Sequence, residues 1–558
     1  MKRKIMMPVG ISDFSEIRQE GSYYIDKTGL IEELLNTTGT KVTLFTRPRR
    51  FGKTLGMSML AHFFDISENS RMLFDGLKIS ENKELCEEWM NRYPTIFFSF
   101  KDVDGLDFPV AYERLQGQFA DLFKKYDYLL KNDFVNKDDE EVFSLIKTEK
   151  ASIGQISRAL SILMRMLKDY YGKPVILLLD EYDVPVAKAN TNGYYNEMLD
   201  MIRGILSTAL KDNSCLKFAV ITGCLRIAKE SIFTGVNNFT IDTILDNRYD
   251  EFFGFSQNEV DKLLEDTGLT DHTDEMREWY DGYRFGNMDV YCPWDVVNHV
   301  NSLLIDSEAK PVGYWKNSSG NEIIRSFIDY SGPAITQKLE TLLSGGCIVE
   351  NIQEEITYDY LHSTEDNLWS ILYLTGYLTR TKDGRWEEEL PQGSYAMKIP
   401  NKEVREIFET VIKKWFMEST QQIDRKALFA SVWNGDAEKA TAEITKLLRR
   451  TISYYDYRED FYHAFFAGIF AGAGYVVESN REHGDGRSDI VVQDYAGDRV
   501  AVFEVKYAKK LEDLEKECEK AISQIDEKKY AEEFKENYAE VICYGAAFYK
   551  KRCKIMKK

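Results

Sequence analysis

The chain has 558 residues, 44% of them hydrophobic and 29% charged, and a formal net charge of −20. Length and composition predict a soluble globular protein of about three domains, and the acidity excludes a surface coated in nucleic acid while leaving a local basic groove open. Eight cysteines stand singly with no CxxC pair, which argues against a disulfide framework or a zinc site and for a reduced, cytoplasmic interior.

The N-terminal stretch MKRKIMMPVG is basic and lacks an apolar signal core, so no signal peptide is expected. Within residues 11–40, Asp26-Lys27-Thr28 opens an amphipathic helix, with Thr28 as its expected cap and Glu32 and Glu33 in its first turns. Val42 to Phe45 then reads as a buried strand, followed by a Pro- and Arg-rich turn, Gly52-Lys53-Thr54, and an apolar-periodic segment carrying Leu55, Met59, Leu60, Phe63 and Phe64. Strand, Gly-Lys-Thr, helix is the layout of a phosphate-binding loop. Amides at the helix start favour an anion, Lys53 supplies a point charge, and the Thr54 hydroxyl suits Mg²⁺. The usual first glycine of such a loop falls at Arg47, so this loop is bulkier and more basic than the standard one. Arg47, Arg49, Arg50 and Lys53 stand together with no acid between Lys41 and Thr54. That predicts an anion among them, and Arg49, Arg50, Gly52, Lys53 and Thr54 are the expected ATP-binding residues of the loop.

Residues 94–100, PTIFFSF, predict a strand, and residues 108–170 are mainly helical by pattern, with a solvated acidic run at Lys137–Glu141. PVILLLDEYD follows. Its apolar run, Val175 to Leu179, predicts a buried parallel strand with Asp180 and Glu181 at its C-terminal end. In a nucleotide hydrolase Asp180 would hold Mg²⁺ through water and Glu181 would orient the attacking water. A third strand, LKFAVIT over 216–222, ends at Thr222, a candidate γ-phosphate sensor. Arg226 and Lys229 follow as candidate phosphate contacts, in cis or toward a neighbouring subunit.

Residues 255–450 show helical periodicity, and their aromatic-rich segment Trp279–Gly286, continuing to Trp294, reads as core. Further on, Phe461 to Val477 is the longest near-apolar run. It contains His463 and three glycines, and predicts a packed helix running into a strand, not a membrane span.

YYIDKT, TRPRRFGKT, LLLDEYD, ITGCLRIAKESIFTGVNNF and WYDGYRFG occur in this order. Over nearly its whole length the chain resembles a family of bacterial two-domain proteins with an AAA-ATPase-like N-terminal domain and a C-terminal PD-(D/E)XK nuclease-superfamily domain. The resemblance makes RPRRFGKT a family trait, and Cys292 departs from the asparagine more usual before Pro293. It implies an α/β architecture: a P-loop parallel-sheet ATPase domain over 1–254, a helical lid or linker over 255–450, and a nuclease-like domain over 451–558.

In the last region Asp460–Gly472 predicts a helix and Tyr475–Ser479 a strand with Glu478. A Gly-rich turn, HGDGRSD, then leads to a strand from Asp489, and VAVFEVK (500–506) forms its hairpin partner. A long helix, Leu511 to about Phe534, and a final strand, Ala539–Tyr544, follow. Alternation places Glu504 and Lys506 on one face, and an antiparallel partner brings Asp489 beside Glu504. Two such carboxylates suit Mg²⁺ or Mn²⁺, with Lys506 orienting water or offsetting charge on the phosphorane. D-x(14)-E-x-K is the minimal core of the PD-(D/E)XK superfamily. Glu478 is an expected additional ligand, while Gln524 and Tyr530 resemble the glutamine and tyrosine of exonuclease-type members. His463 and His483 read as structural or surface residues.

These features predict an ATP-binding and hydrolysing protein coupled to a Mg²⁺- or Mn²⁺-dependent nuclease acting on DNA. It would be cytoplasmic, without a membrane partner, with homo-oligomerisation open. The rival expectation is a nucleotide-controlled sensor whose C-terminal domain binds nucleic acid or protein without cleavage.

Overall fold

The computed structural model describes all residues except 1–4, 37–38, 132–134, 227–238, 316–332, 355, 357–364, 382–389, 422–425, 449–461, 463–468, 471–474, 484–485 and 550–551. The protein is α/β, with two compact units: Met1–Ser318 with Val349–Arg405, and Ser319–Ile348 with Glu406–Lys558. The middle region is thus divided between them. Among the described residues no helix is long and apolar enough to cross a membrane.

The first unit is built on a parallel sheet of β1 (Val42–Thr46), β2 (Thr95–Ser99), β3 (Val175–Asp180), β4 (Leu216–Gly223) and β5 (Phe239–Asp242), in the order β2-β3-β4-β1-β5. Every residue of β1 and β3 is buried, as expected for central parallel strands covered by helices on both faces. Each buried Leu or Ile of β3 contributes about 1.5–3 kcal/mol of transfer free energy. Because β4 lies between β1 and β3, the ends of those three strands stand side by side. There the polar residues Thr46, Asp180 and Thr222 interrupt otherwise apolar runs.

A hairpin of β6 (Tyr283–Phe285) and β7 (Met288–Val290) belongs to the same unit. So do most of β8 (Ile348–Asn351) and all of β9 (Thr379–Arg380) and β10 (Ser394–Lys398), a sheet ordered β8-β10-β9. Gly282 has φ 99°, and a Cβ there would lie 2.2 Å from the Pro400 carbonyl oxygen, so only glycine fits this turn. Tyr280, Tyr283 and Phe285 are buried, so the aromatic segment is core. Thr28 does not cap the helix Gly29–Leu35. Its hydroxyl instead donates to Asp26 and accepts the Ile79 amide, tying two segments together.

The second unit carries a mixed sheet in the order β11-β12-β13-β14-β15: Val476–His483, Gly486–Asp494, Arg499–Tyr507, Glu540–Tyr549 and Arg552–Lys557. Only β13 and β14 pair in parallel, and the helix Leu514–Glu527 makes their crossover. Alternation along β13 splits its side chains between two cores. Val500 and Val502 pack with Val491, Ile525, Tyr530 and Phe534, while Ala501, Phe503 and Val505 pack with Leu428, Ile444 and Tyr544.

Three local expectations are corrected. Gly486 to Ser488 belong to β12, not to a turn, because β11 and β12 stay paired out to His483 and Gly486. The long helix ends at Glu527, and β15 was not foreseen from its short apolar content. The helix expected at Asp460–Gly472, with His463, lies mostly outside the described residues. Tyr462, Ile469 and Phe470 within it are helical and fully buried.

Candidate functional site

At the C-terminal edge of the parallel sheet the chain leaves β1 through Arg47–Phe51 and enters the helix Lys53–Phe64 at Gly52. Arg50 and Gly52 adopt positive φ, 70° and 82°. The buried Lys53 ammonium donates to the Arg47 and Pro48 carbonyls at 2.9 and 2.8 Å, curling the loop around itself. Thr54 Oγ1 donates to Asp180 Oδ2 at 2.8 Å, and Thr222 Oγ1 donates to Asp180 Oδ1. Ser99 Oγ reaches the same Oδ2 at 3.5 Å. A fully buried carboxylate at the end of β3 therefore gathers hydroxyls from the helix start, β4 and β2.

Glu181 follows in the left-handed region, φ 53°, a conformation uncommon for a non-glycine residue. Burial, and then Asp180, raise its carboxyl above the ordinary range, against the pull of Lys53. Gly52, Lys53, Thr54, Lys101 and Glu181 share a cavity of about 330 Å³. Beyond the loop its wall turns apolar, with Ile11, Ile25, Leu30, Phe255, Trp294 and Val297.

The loop's bulky residues are used elsewhere. Arg47, fully buried, ion-pairs with Asp242 and lies over the Phe253 and Phe285 rings at 5.1 and 5.5 Å. Phe51 packs on Tyr283 and Phe285, each at 4.9 Å between centroids. Arg50 lies 4.6 Å over the Trp294 ring and donates to the Tyr314 carbonyl at 2.8 Å. The anion beside Arg47 is thus Asp242, a residue of the protein itself. Arg49 is half-buried and acts electrostatically on Asp183, Cys224 and Tyr377. Arg226 is half-buried at the last described position before residue 227, and Lys229 lies outside the described residues.

In the second unit Asp489 and Glu504 sit on facing strands, one pair beyond Ile490 and Phe503 in register. Asp489 Oδ2 accepts the Val505 amide at 2.8 Å, and Lys506 Nζ donates to Glu504 Oε1 at 2.9 Å. Glu504 is fully buried and, among the described residues, its Oε2 has no hydrogen-bond partner. Burial, and then the charge of Asp489, push its carboxyl up to about 7, against the opposing effect of Lys506.

Comparisons with known proteins agree with this geometry. Residues 8–233 match the family model described as "Predicted AAA-ATPase", AAA-ATPase-like, and residues 457–558 match that of the PD-(D/E)XK nuclease superfamily. The two matches, in this order, give the two-domain arrangement expected from the sequence. It is also similar to a protein of Azotobacter chroococcum described as uncharacterized, in the vnfD 5′ region, with 26% identity over 98% of this chain and 97% of that one.

Within the PD-(D/E)XK domain, Glu478 pairs with Val491, two residues along β12 from Asp489 on the same face, and acts electrostatically on Tyr538. Among the described residues it does not join Asp489 and Glu504 in a three-group metal cluster. Gln524 Nε2 lies 3.5 Å from the Tyr530 hydroxyl, which feels the charges of Glu504, Asp489 and Lys506. The divalent ion expected there fits the donor set: two carboxylates, one with a buried unpartnered oxygen, leave the remaining positions to water and a phosphate oxygen. Gly545, paired with Glu504, lets the crossover helix approach. A Cβ there would stand 2.5 Å from the Cys518 carbonyl oxygen.

In the AAA-ATPase-like domain two residues went unremarked in the sequence. Lys101 lines the cavity at the end of β2. Asp183, fully buried, accepts the Cys224 and Leu225 amides at 3.0 Å each and so fixes the turn after Thr222. A Cβ at Gly223 would lie 2.7 Å from Asp183 Oδ1, so glycine is required there. The sequence signal was present in LLLDEYD, whose second aspartate stands three residues after Asp180.

Proposed function

We propose that the protein binds and hydrolyses ATP at the phosphate loop and cleaves DNA phosphodiesters at Asp489, Glu504 and Lys506, with ATP controlling the cleavage. The observation that carries the first half is the convergence of Thr54 and Thr222 on Asp180 beside the Lys53 loop. The phosphates lie along the Gly52–Thr54 amides, with Lys53 released from its loop carbonyls to meet them. Thr54 and Asp180 would hold Mg²⁺, Glu181 would orient the attacking water, and Thr222 would sense the γ-phosphate. Arg49, Arg50 and Arg226 supply further cationic contacts to the nucleotide. The apolar end of the cavity, with Ile11, Phe255 and Trp294, receives the base.

The second half rests on the buried Glu504 Oε2 beside Asp489. These carboxylates would hold Mg²⁺ or Mn²⁺, with Glu478 entering only through water. When bound, the ion supplies charge stabilisation and a more acidic water. Lys506 holds Glu504 in place and orients the water toward phosphorus, and the Val505 amide fixes Asp489. Manganese titration into the full chain tests the site. We expect one metal to be lost on Asp489→Ala, with ATP affinity unchanged. Equal manganese binding by the wild type and that variant would refute it.

A further inference from the structure

The phosphate loop lies at the C-terminal edge of the parallel sheet, and the opposite edge carries a row of cations. Four neighbouring strands each bring one to their start: Arg92 three residues ahead of β2, Lys173 two ahead of β3, Lys217 as the second residue of β4, and Lys41 just ahead of β1. The pairing keeps them in line. Thr95 of β2 stands opposite Ile176 of β3, Val175 stands opposite Leu216 of β4, and the Lys41 carbonyl accepts the Ala219 amide at 2.8 Å. With strands about 4.8 Å apart, the row spans about 15 Å.

Aromatic rings lie among these cations. Trp89 and Tyr93, both half-buried, stack with centroids 5.0 Å apart. Lys217 Nζ lies 5.0 and 5.3 Å from the Trp89 and Tyr93 centroids, and Lys173 Nζ lies 5.5 Å from that of Tyr93. Lys173 Nζ donates to the Arg92 carbonyl at 3.0 Å, and Lys41 Nζ to the Lys217 carbonyl at 3.4 Å, so the four form one connected patch. Arg92 Nε donates to the Glu87 carbonyl at 3.2 Å. The partners are thus rings and carbonyls. Glu87, Glu88, Asp169 and Asp212 stand nearby in sequence, yet among the described residues no carboxylate pairs with any of the four cations. Thr37, Thr38, Asn237 and Asn238, which adjoin β1 and β5 in sequence outside the described residues, are uncharged.

A lysine held by a ring and one carbonyl keeps its charge and most of its three donors. In a chain of net charge −20, acids to neutralise such a row are plentiful, and it stands without them. Cations interleaved with aromatic rings suit a strand of phosphates whose unpaired bases can reach those rings, whereas the bases of a duplex are stacked on one another. We infer that the edge of the sheet opposite the phosphate loop binds single-stranded nucleic acid, its phosphates along Arg92, Lys173, Lys217 and Lys41 and a base against Trp89 and Tyr93. Strand β3, six residues long, separates the two edges by about 20 Å, so each can be filled without blocking the other. The inference goes beyond the ATPase and nuclease reading and requires neither activity.

The test uses the full-length protein in EDTA without nucleotide, so that neither of the other sites acts, and a fluorescein-labelled oligothymidylate as probe. By fluorescence anisotropy, affinity is expected to fall about tenfold or more in the double variant Lys173→Gln/Lys217→Gln. The slope of log affinity against log salt should shrink by about 1.4, since each phosphate contact on a single strand contributes about 0.7. In parallel, lysine acetylation read by mass spectrometry is expected to show the oligonucleotide protecting Lys41, Lys173 and Lys217. This second readout needs no substitution, and it decides the matter if the double variant fails to fold. It is also local to this edge, so binding beside Asp489 cannot imitate it. Absence of binding, unchanged affinity in the folded double variant, or absence of protection overturns the inference. Equal protection by polyglutamate overturns it in favour of an acidic protein segment.

Discussion

The Thr54 hydroxyl donates to the Asp180 carboxylate at 2.8 Å, across 126 residues of sequence. Asp180 is fully buried and also takes the Thr222 hydroxyl, so the helix after the loop is tied to the ends of two strands. Removing Lys53 takes away the buried cation at the helix start without touching these bonds. Lys53→Ala is expected to lose ATP binding while circular dichroism stays that of the wild type. Wild-type affinity in calorimetry would sink the assignment.

Gln matches Glu181 in size and hydrogen-bonding reach, at a position whose backbone is left-handed with φ 53°. Glu181→Gln should keep ATP binding and slow turnover about 10²–10⁴-fold, the range lost with a general base. Steady-state phosphate release within a few-fold of wild type would place the catalytic role elsewhere.

Arg47 occupies the place of the usual loop glycine and pairs with Asp242 in the interior. Arg47→Ala leaves that carboxylate buried and alone, and should cost about 3–5 kcal/mol. Adding Asp242→Asn should recover part of the loss. Denaturant unfolding of the two variants checks this. Additive losses would mean that the pair is not coupled.

Asp295 and Glu403 are a buried carboxyl pair. Burial first, then Asp295, raise Glu403 to about 10, and burial raises Asp295 to about 6. One proton is therefore retained at neutral pH. A carboxyl raised in the folded state contributes stability below its unfolded pKa, lost as pH climbs toward the folded value. Wild-type stability should fall from about pH 5 to pH 10. Glu403→Gln should flatten that fall, as thermal melts across the range would show. Parallel profiles for both proteins would contradict the shared proton.

At the second site a proton competes with the ion, because Glu504 is pushed up to about 7. Apparent manganese affinity should therefore fall up to about tenfold per pH unit below 7 and level off above it. The part of the calorimetric signal removed by Asp489→Ala would report this. A pH-independent signal would mean that Glu504 is not a ligand.

Much of this was legible in the sequence, and the reasons are physical. Val175 to Leu179 is an unbroken apolar run, and only a strand buried on both faces tolerates one that short and that dense. Glu504 and Lys506 share a face through the period of two, and a hairpin turn set their register against Asp489. The fate of Arg47 was not legible. Its partner lies 195 residues away, so four clustered cations looked like a seat for one external anion. Nor does periodicity show that β11 and β12 stay paired through the Gly-rich stretch, because glycine marks a turn in sequence and also fits a strand end.

DNA cleavage by the full chain with Mn²⁺, with and without ATP, tests most directly whether one chain joins an ATP switch to a metal-dependent nuclease. Wild type should cleave in a divalent-dependent way and change rate when ATP is added. Lys506→Ala and Asp489→Ala should abolish cleavage while hydrolysing ATP, and Lys53→Ala should cleave at a rate that ATP no longer alters. Wild-type protein that hydrolyses ATP yet leaves linear, circular and single-stranded DNA and RNA intact would contradict the claim and favour a nucleotide-controlled binding module.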